Sequence, residues 1–331
     1  MRYRELGSSG LEVSEIALGS WMFFDDDTDL EANRAVTEAA LDAGITLFDT
    51  ANIYGNGAAE LAWGEILSRH PRDSYLLATK VWGAMPETGR GLSAPKIAQQ
   101  IDASLTRLRT DHVDLYQAHR FDPEVPIEET ITALQRVVEQ GKARHLGFSE
   151  WTPEQIRAAI DLAGPELFAS SQPQYSMLWQ APEAELFGLC AENDIAQIVW
   201  SPLAQGMLTG KYRPGTPPPE GSRRVDAQGS RAMTAIFDET VALAAVDRLA
   251  PIADGAGLDL TTLALAWVLR RGEVAAAIVG ASRPEQVWAN TAASGVELSP
   301  DVLAAVDDAL GDAPVTTPTL APGAVEGVRR G

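Results

Sequence analysis

Cysteine is almost absent from this chain: Cys190 stands alone, so no intramolecular disulfide can form and no thiolate cluster can hold a metal. Lysine is nearly as scarce, with four residues in 331, although lysine and arginine together number 26. Against them stand 46 aspartates and glutamates, and the net charge of −20 argues against a nucleic-acid or anionic-membrane partner. Long hydrophobic runs are missing too. The longest, Leu260 to Leu269, has about half the length that a bilayer span requires. The opening residues Met1-Arg2-Tyr3-Arg4-Glu5-Leu6 hold no apolar signal-peptide segment, which makes a cytoplasmic protein the expectation. A G-x-G-x-x-G turn after the first strand is the last absentee. Its nearest approach, Gly55-Asn56-Gly57-Ala58-Ala59-Glu60, follows the second predicted strand and has Glu60 where the third glycine belongs. That counts against a doubly wound dinucleotide-binding sheet.

What the chain does have is alternation. Residues 3–6 and 11–14 flank Gly7-Ser8-Ser9-Gly10 and predict a hairpin that plugs one end of a barrel. Strands are predicted at Glu15–Leu18, Thr46–Asp49, Tyr75–Lys80, Val113–His119, Ala143–Ser149, Ala169–Gln172, Ala196–Trp200 and Ala276–Val279. Between and after them, helical spacing marks Leu30–Ala43, Ala58–Leu67, Ala94–Leu108, Ile127–Gln140, Thr152–Leu162, Ala184–Asn193, Ala235–Ala250, Thr261–Arg271, Pro284–Ala293 and Pro300–Leu310. Such alternation predicts an α/β fold, a (β/α)8 TIM barrel, as one domain over residues 1–310 with a Pro/Gly-rich tail over 311–331. An additional helix falls between strands 7 and 8. From Gln205 to Arg231 the chain has no periodicity and carries Pro214, Pro217, Pro218 and Pro219, the composition of a lid or binding loop.

Three predicted strands end in chemistry. The stretch Leu47-Phe48-Asp49-Thr50-Ala51-Asn52-Ile53-Tyr54-Gly55 runs from a buried strand into a carboxylate, with a phenol beyond a short loop. The next strand, Leu76-Leu77-Ala78-Thr79-Lys80, stops at a lysine. The one after it, Leu115-Tyr116-Gln117-Ala118-His119, stops at a histidine. Singly, each has a plain structural explanation: Asp49 caps the loop, Tyr54 packs beneath it, Lys80 snorkels and His119 is a satisfied core residue. In a barrel, however, successive strands are neighbours and all their C-terminal ends share one face, so the four side chains converge. One site accounts for them better than four coincidences. A phenol ionises near about pH 10, a nearby ammonium favours its phenolate, and a carboxylate keeps that ammonium charged and oriented. A histidine beside the phenol donates a hydrogen bond to a substrate oxygen. Such a group protonates a carbonyl oxygen as charge builds there. It supplies no hydride, so the reading requires a reduced nicotinamide.

The residues Phe48-Asp49-Thr50-Ala51-Asn52-Ile53-Tyr54-Gly55, Thr79-Lys80 and Asp114-Leu115-Tyr116-Gln117-Ala118-His119-Arg120 resemble the aldo-keto reductase superfamily, and the likeness covers nearly the whole chain. Lys80-Val81-Trp82-Gly83, Trp200-Ser201-Pro202-Leu203-Ala204-Gln205-Gly206 and Gly210-Lys211-Tyr212 look like the branch of potassium-channel β subunits and related bacterial reductases. The resemblance implies a catalytic tetrad of Asp49, Tyr54, Lys80 and His119, with Tyr54 as general acid. His119 stands where channel subunits typically carry asparagine, which favours a working enzyme. For the cofactor, the resemblance implies NADPH or NADP+. Ser149 and Gln172 match the residues that hold the nicotinamide carboxamide, and Trp200 the aromatic that stacks on the ring. Leu203, Gly206, Lys211 and Arg223 match the belt over the pyrophosphate, while Gly280, Ser282, Arg283, Gln286 and Asn290 match the adenosine-phosphate end. Trp21 and Ser201 complete the expected cofactor set. Three positions depart from the family pattern: Glu150 replaces an asparagine or arginine, Gln286 an arginine and Ala289 a glutamate.

The expected function is therefore NADPH-dependent reduction of an aldehyde or ketone. The alternative is an NADP(H)-binding regulatory or redox-sensor subunit with little turnover. Trp21, Met22, Phe23, Trp82 and Phe121, all following strands, suggest aromatic walls and a small apolar or aromatic carbonyl substrate. Arg120 offers either a contact for an anionic substrate or an ion pair with Asp122. No metal, nucleic-acid or membrane partner is expected, and a homo-oligomer is left open.

Overall fold

Eight parallel strands close on themselves. In the computed structural model, which describes residues 1–21, 30–213, 215–220, 222, 225 and 238–317, two short strands come first. These are β1 (Tyr3–Glu5) and β2 (Glu12–Ser14), which pair antiparallel around a 3-10 turn at Gly7–Ser9. The barrel strands are β3 (Ile16–Gly19), β4 (Leu47–Asp49), β5 (Leu76–Val81), β6 (Val113–Ala118), β7 (Ala143–Phe148), β8 (Ser170–Ser171), β9 (Ala196–Trp200) and β10 (Val274–Val279). Each pairs with the next in chain order, and β10 pairs with β3 to complete the ring. Around it lie α1 (Leu30–Asp42), α2 (Ala58–Leu67), α3 (Ala94–Leu108), α4 (Ile127–Glu139), α5 (Pro153–Ala163), α6 (Leu186–Ala191), α7 (Glu239–Gly255), α8 (Leu260–Leu269), α9 (Pro284–Thr291) and α10 (Pro300–Leu310). This is the (β/α)8 barrel with an N-terminal hairpin that the alternation predicts. No single helix among the described residues is long and apolar enough to cross a membrane.

Strand side chains alternate between the barrel interior and the helix layer. Ala17, Leu47, Ala78, Leu115, Ile198 and Ala276 form an inner apolar cluster with Leu6 and Val13 of the hairpin. Their strand neighbours Leu18, Phe48, Leu77, Tyr116, Val199 and Ala277 pack into the larger cluster shared with the helices. The hairpin thus closes the end of the barrel where the strands begin. Arg4 anchors it by donating to the carbonyls of Leu269, Arg271 and Val274. At Gly7, in the left-handed region at φ +53, a Cβ would come within 2.3 Å of the Asp194 carbonyl oxygen, so the turn presses directly on the barrel floor.

Several boundaries differ from expectation for local reasons. Thr152 is not the first helical residue of α5 but its cap: its side chain accepts from Gln155 N–H while Gln155 Oε1 accepts from Thr152 N–H. The helix expected to stop before Pro251 runs on to Gly255. Pro251 and Asp247, whose carbonyl loses its helical donor there, both lie on the exposed side, where water can replace the missing bond. The helix expected over 184–193 is only Leu186–Ala191, preceded by a 3-10 turn at Ala181–Glu183. The long loop after β9 opens with another 3-10 turn, Ala204–Thr209. The start of the tail is docked: Val315 exchanges backbone hydrogen bonds with Leu178 and Gln180. Met22, Phe23, Arg223, the expected helix start at Ala235 and the tail beyond residue 317 lie outside the described residues.

The hairpin's contribution is measurable. Leu6 is fully buried in the inner cluster. Leu6→Ala should cost about 2–5 kcal/mol of stability, read from urea unfolding of both proteins.

Candidate active site

Two residues beyond the apolar inner layer, the same strand faces carry polar groups. Leu47 leads to Asp49, Ala78 to Lys80, Leu115 to Gln117 and then His119, and Ile198 to Trp200. Lys80 Nζ donates to Asp49 Oδ1 at 2.5 Å, to the Thr50 carbonyl at 2.8 Å and to the Tyr54 hydroxyl at 3.4 Å. All three of its N–H bonds are used. Desolvation is the largest single influence on this fully buried lysine and opposes its charge. Asp49 and Tyr54 together outweigh it and hold the Lys80 pKa above the ordinary 10.5. The other oxygen of Asp49 accepts from Gln172 Nε2 at 2.9 Å and Gln117 Nε2 at 3.1 Å, so every hydrogen-bond partner of this carboxylate is a donor.

Tyr54 is held over the ammonium by an unusual turn. Gly55, Asn56 and Gly57 follow it with φ of 56°, 50° and 93°, three successive left-handed residues. A Cβ at Gly57 would also approach Arg107 Cδ to 2.8 Å. Glycine and asparagine tolerate that backbone, and bulkier residues do not. Because an ammonium can only donate, the Tyr54 oxygen accepts from Lys80 and its own proton points elsewhere. His119 stands edge-on to the phenol with ring centroids 5.7 Å apart, and Trp21 lies 6.2 Å from it, tilted by 41°.

A cavity of about 630 Å³ opens from Tyr54, Asp49, His119 and Trp21. Ser149, Gln172, Trp200, Ser201, Leu203, Gly206, Lys211, Gly280, Ser282, Arg283, Gln286 and Asn290 also line it. Among the expected cofactor positions only Arg223 goes unplaced, being outside the described residues. Ser149 Oγ donates to the Gln172 carbonyl at 2.8 Å and accepts from Arg120. Trp200 Nε1 donates to Glu150 Oε1 at 2.8 Å, and the same oxygen accepts from Gln174 N at 2.7 Å. Gln286 Oε1 accepts from the Ser282 backbone at 2.7 Å. Two buried polar atoms of the wall, Gln205 Oε1 and Ser222 Oγ, have no partner among the described residues.

The aldo/keto reductase family model matches residues 15–310. The chain belongs to the aldo/keto reductase family. It is 35% identical over 326 residues to a probable voltage-gated potassium channel subunit beta of Arabidopsis thaliana, covering 95% of this chain and 98% of that protein. A probable voltage-gated potassium channel subunit beta of rice (Oryza sativa subsp. japonica) is 34% identical over 329 residues, covering 96% of this chain and 99% of that protein. A putative voltage-gated potassium channel subunit beta of Schizosaccharomyces pombe is 38% identical over 327 residues, covering 95% and 94%. Membership carries oxidoreductase chemistry and a nicotinamide dinucleotide as the family's general features.

In this aldo/keto reductase the aromatic walls are thinner, among the described residues, than the sequence suggests. Phe121 packs on Trp151 at 5.2 Å in the core, and Trp82 lies under Arg90 at 4.9 Å, so neither reaches the cavity. Arg120 does not pair with Asp122, whose oxygens accept from Leu92 N and Glu124 N. Sequence reading gave no role to Gln117 or Gln205, and marked Glu150 only as a departure from the family pattern. Gln117 carried one signal: it stands two residues before His119 and therefore on the same strand face.

Removing one member of a buried pair strands the other. Lys80→Met should lose about 3–5 kcal/mol in urea unfolding, and Asp49→Asn combined with it should recover part of that loss. The raised pKa of Lys80 makes its contribution whole below the ordinary lysine value of 10.5 and lost as pH climbs through the raised one. Wild-type stability should therefore fall relative to the double variant as pH climbs through that alkaline range.

Proposed function

We propose that this aldo/keto reductase reduces aldehydes and ketones to alcohols with NADPH, Tyr54 serving as the general acid. The observation that supports it most directly is the Tyr54 hydroxyl, 3.4 Å from an ammonium that is itself fixed on Asp49. The cleft residues suit the dinucleotide. Lys211 and Arg283 bring positive charge for its phosphates, and the orphaned Gln205 Oε1 and Ser222 Oγ offer unspent hydrogen-bonding capacity. Trp200, steadied by Glu150, presents an indole for the nicotinamide, with Ser149 and Gln172 for its carboxamide. Bound there, the reduced ring supplies the hydride. His119 hydrogen-bonds the carbonyl oxygen and orients it, and Tyr54 transfers its proton to that oxygen as negative charge develops. Lys80 stabilises the phenolate left behind, while Asp49 offsets the desolvation of Lys80. Trp21 gives the substrate an aromatic wall. A second reading, a nicotinamide-binding regulatory subunit with little turnover, draws on the names of the three channel-subunit relatives.

Tyr54→Phe decides between them. The ring still packs, so NADPH affinity should stay within about twofold, while single-turnover reduction of a good aldehyde falls by roughly 100-fold or more. An unchanged rate would place the acid elsewhere, and a wild type that binds NADPH yet reduces nothing across a broad carbonyl panel would favour the regulatory reading. Cofactor choice is a separate measurement. Ser282 and Arg283, with Arg223, should make NADPH bind about tenfold or more tighter than NADH in titrations following tryptophan fluorescence. Equal affinities would remove these residues from the 2′-phosphate.

A further inference from the structure

Half-buried arginines among the described residues come with carboxylates. Arg4 faces Glu15 at 2.7 Å, Arg72 faces Asp114 at 2.6 Å, Arg107 faces Glu60 at 2.7 Å and Arg271 faces Glu183 at 3.2 Å. Lys80 has Asp49. A hollow of about 700 Å³ at the far end of the barrel looks cationic, yet its Arg2, Arg4, Arg270 and Arg271 all have acidic partners. Arg120 breaks the pattern. It is the one arginine among the described residues in the fully buried class, at 6% exposure, and no carboxylate of those residues lies within ion-pairing distance. A chain with 46 acids is not short of partners. Burying a charge without one is costly unless something else brings the counter-charge.

The contacts of Arg120 leave its binding edge unused. Nη1 donates to the His119 carbonyl at 2.6 Å and to Ser149 Oγ at 3.2 Å. Nε and Nη2 have no hydrogen-bond partner among the described residues, and this edge of a guanidinium is a fork that matches two oxygens of a carboxylate. The residue lines the same cavity as Tyr54 and His119. The nearby acid, Glu150, is engaged by the Trp200 indole and the Gln174 amide instead. We propose that Arg120 binds an oxyanion carried by the substrate, so that the preferred carbonyl compounds are oxo acids or carboxylate-bearing aldehydes. The assignment rests on the carbonyl-reductase reading of this site and adds the substrate class to it. Cofactor phosphates are matched to other cations of the cleft, Lys211 and Arg283, which leaves the guanidinium beside His119 for the substrate.

The test compares each charged carbonyl with a neutral twin. Glyoxylate, succinic semialdehyde and 4-carboxybenzaldehyde are run against their methyl esters, and glyceraldehyde 3-phosphate against glyceraldehyde, in wild type and Arg120→Gln. In the wild type at least one acid should exceed its ester in kcat/KM by about tenfold or more, the scale of a charged hydrogen bond. Arg120→Gln should erase that ratio while leaving NADPH affinity within about twofold. A preference confined to the phosphorylated aldehyde would make phosphate the oxyanion and overturn the carboxylate assignment. Neutral twins preferred throughout, or a ratio that survives Arg120→Gln, would overturn the proposal. So would a tenfold loss of NADPH affinity with the ratio intact, because the guanidinium would then serve the cofactor. Calorimetric titration of 4-(hydroxymethyl)benzoate into the NADP+-saturated protein reads the same contact without turnover. Binding that Arg120→Gln weakens about tenfold supports the proposal even if no carbonyl is reduced, and absence of binding to wild type overturns it. Arg120→Lys, which keeps the charge but not the fork, should fall between the two and guards against a Gln variant that fails to fold.

Discussion

The catalytic end of this barrel depends on one ion pair, in which Lys80 is wholly enclosed and Asp49 keeps only a narrow edge on the cavity. Taking two charges out of solvent is unfavourable, and their attraction repays it only when the remaining donors and acceptors are also satisfied. Here they are, through the Thr50 carbonyl, the Tyr54 hydroxyl and two glutamine amides. The pair also requires the topology. Asp49 and Lys80 sit on adjacent strands whose parallel register aligns Asp49 with Ala78, so an ammonium two residues on reaches back to the carboxylate. A one-residue slip of β5 would turn Lys80 outward and bring Thr79 or Val81 into the mouth. The apolar layers below and the hairpin that seals them hold that register.

Much of this was legible because it is periodic. The alternation of strands and helices gives the barrel, and the endings of three consecutive strands give the cluster of Asp49, Lys80 and His119, since parallel neighbours present the same end. The less legible parts depend on contacts that spacing does not encode. Gln117 reads as an ordinary strand residue, and Gln172 as a cofactor contact only, until the closed sheet brings both amides onto Asp49. Phe121 and Trp82 follow strands as mouth residues do, yet one turns into the aromatic core and the other beneath Arg90. Glu60 looked like a failed glycine. It is a fully buried acid bound by Thr79 and Arg107, outside the strand layer and away from any phosphate loop.

Charge is distributed unevenly between the whole and the cleft. The chain as a whole carries −20, a field that opposes the approach of any anion, whether dinucleotide or oxo acid. Over distances beyond about 8 Å that field is largely screened at physiological salt, whereas a cation inside the cleft acts at contact range in a poorer dielectric. Arg120 is buried where screening is weak, whereas Lys211 and Arg283 line the cleft as exposed cations. Association of anionic ligands with such a protein should quicken as salt rises, while the affinity within the cleft weakens.

The amides around Asp49 have one more consequence. Gln117 comes from β6 and Gln172 lies just beyond β8, so three separate parts of the ring are tied together through a single carboxylate oxygen. Primary amides neither gain nor lose protons across any range in which the protein is folded. The amide arms of the brace are therefore indifferent to acidity, and only the carboxylate and the ammonium that they hold in register can titrate.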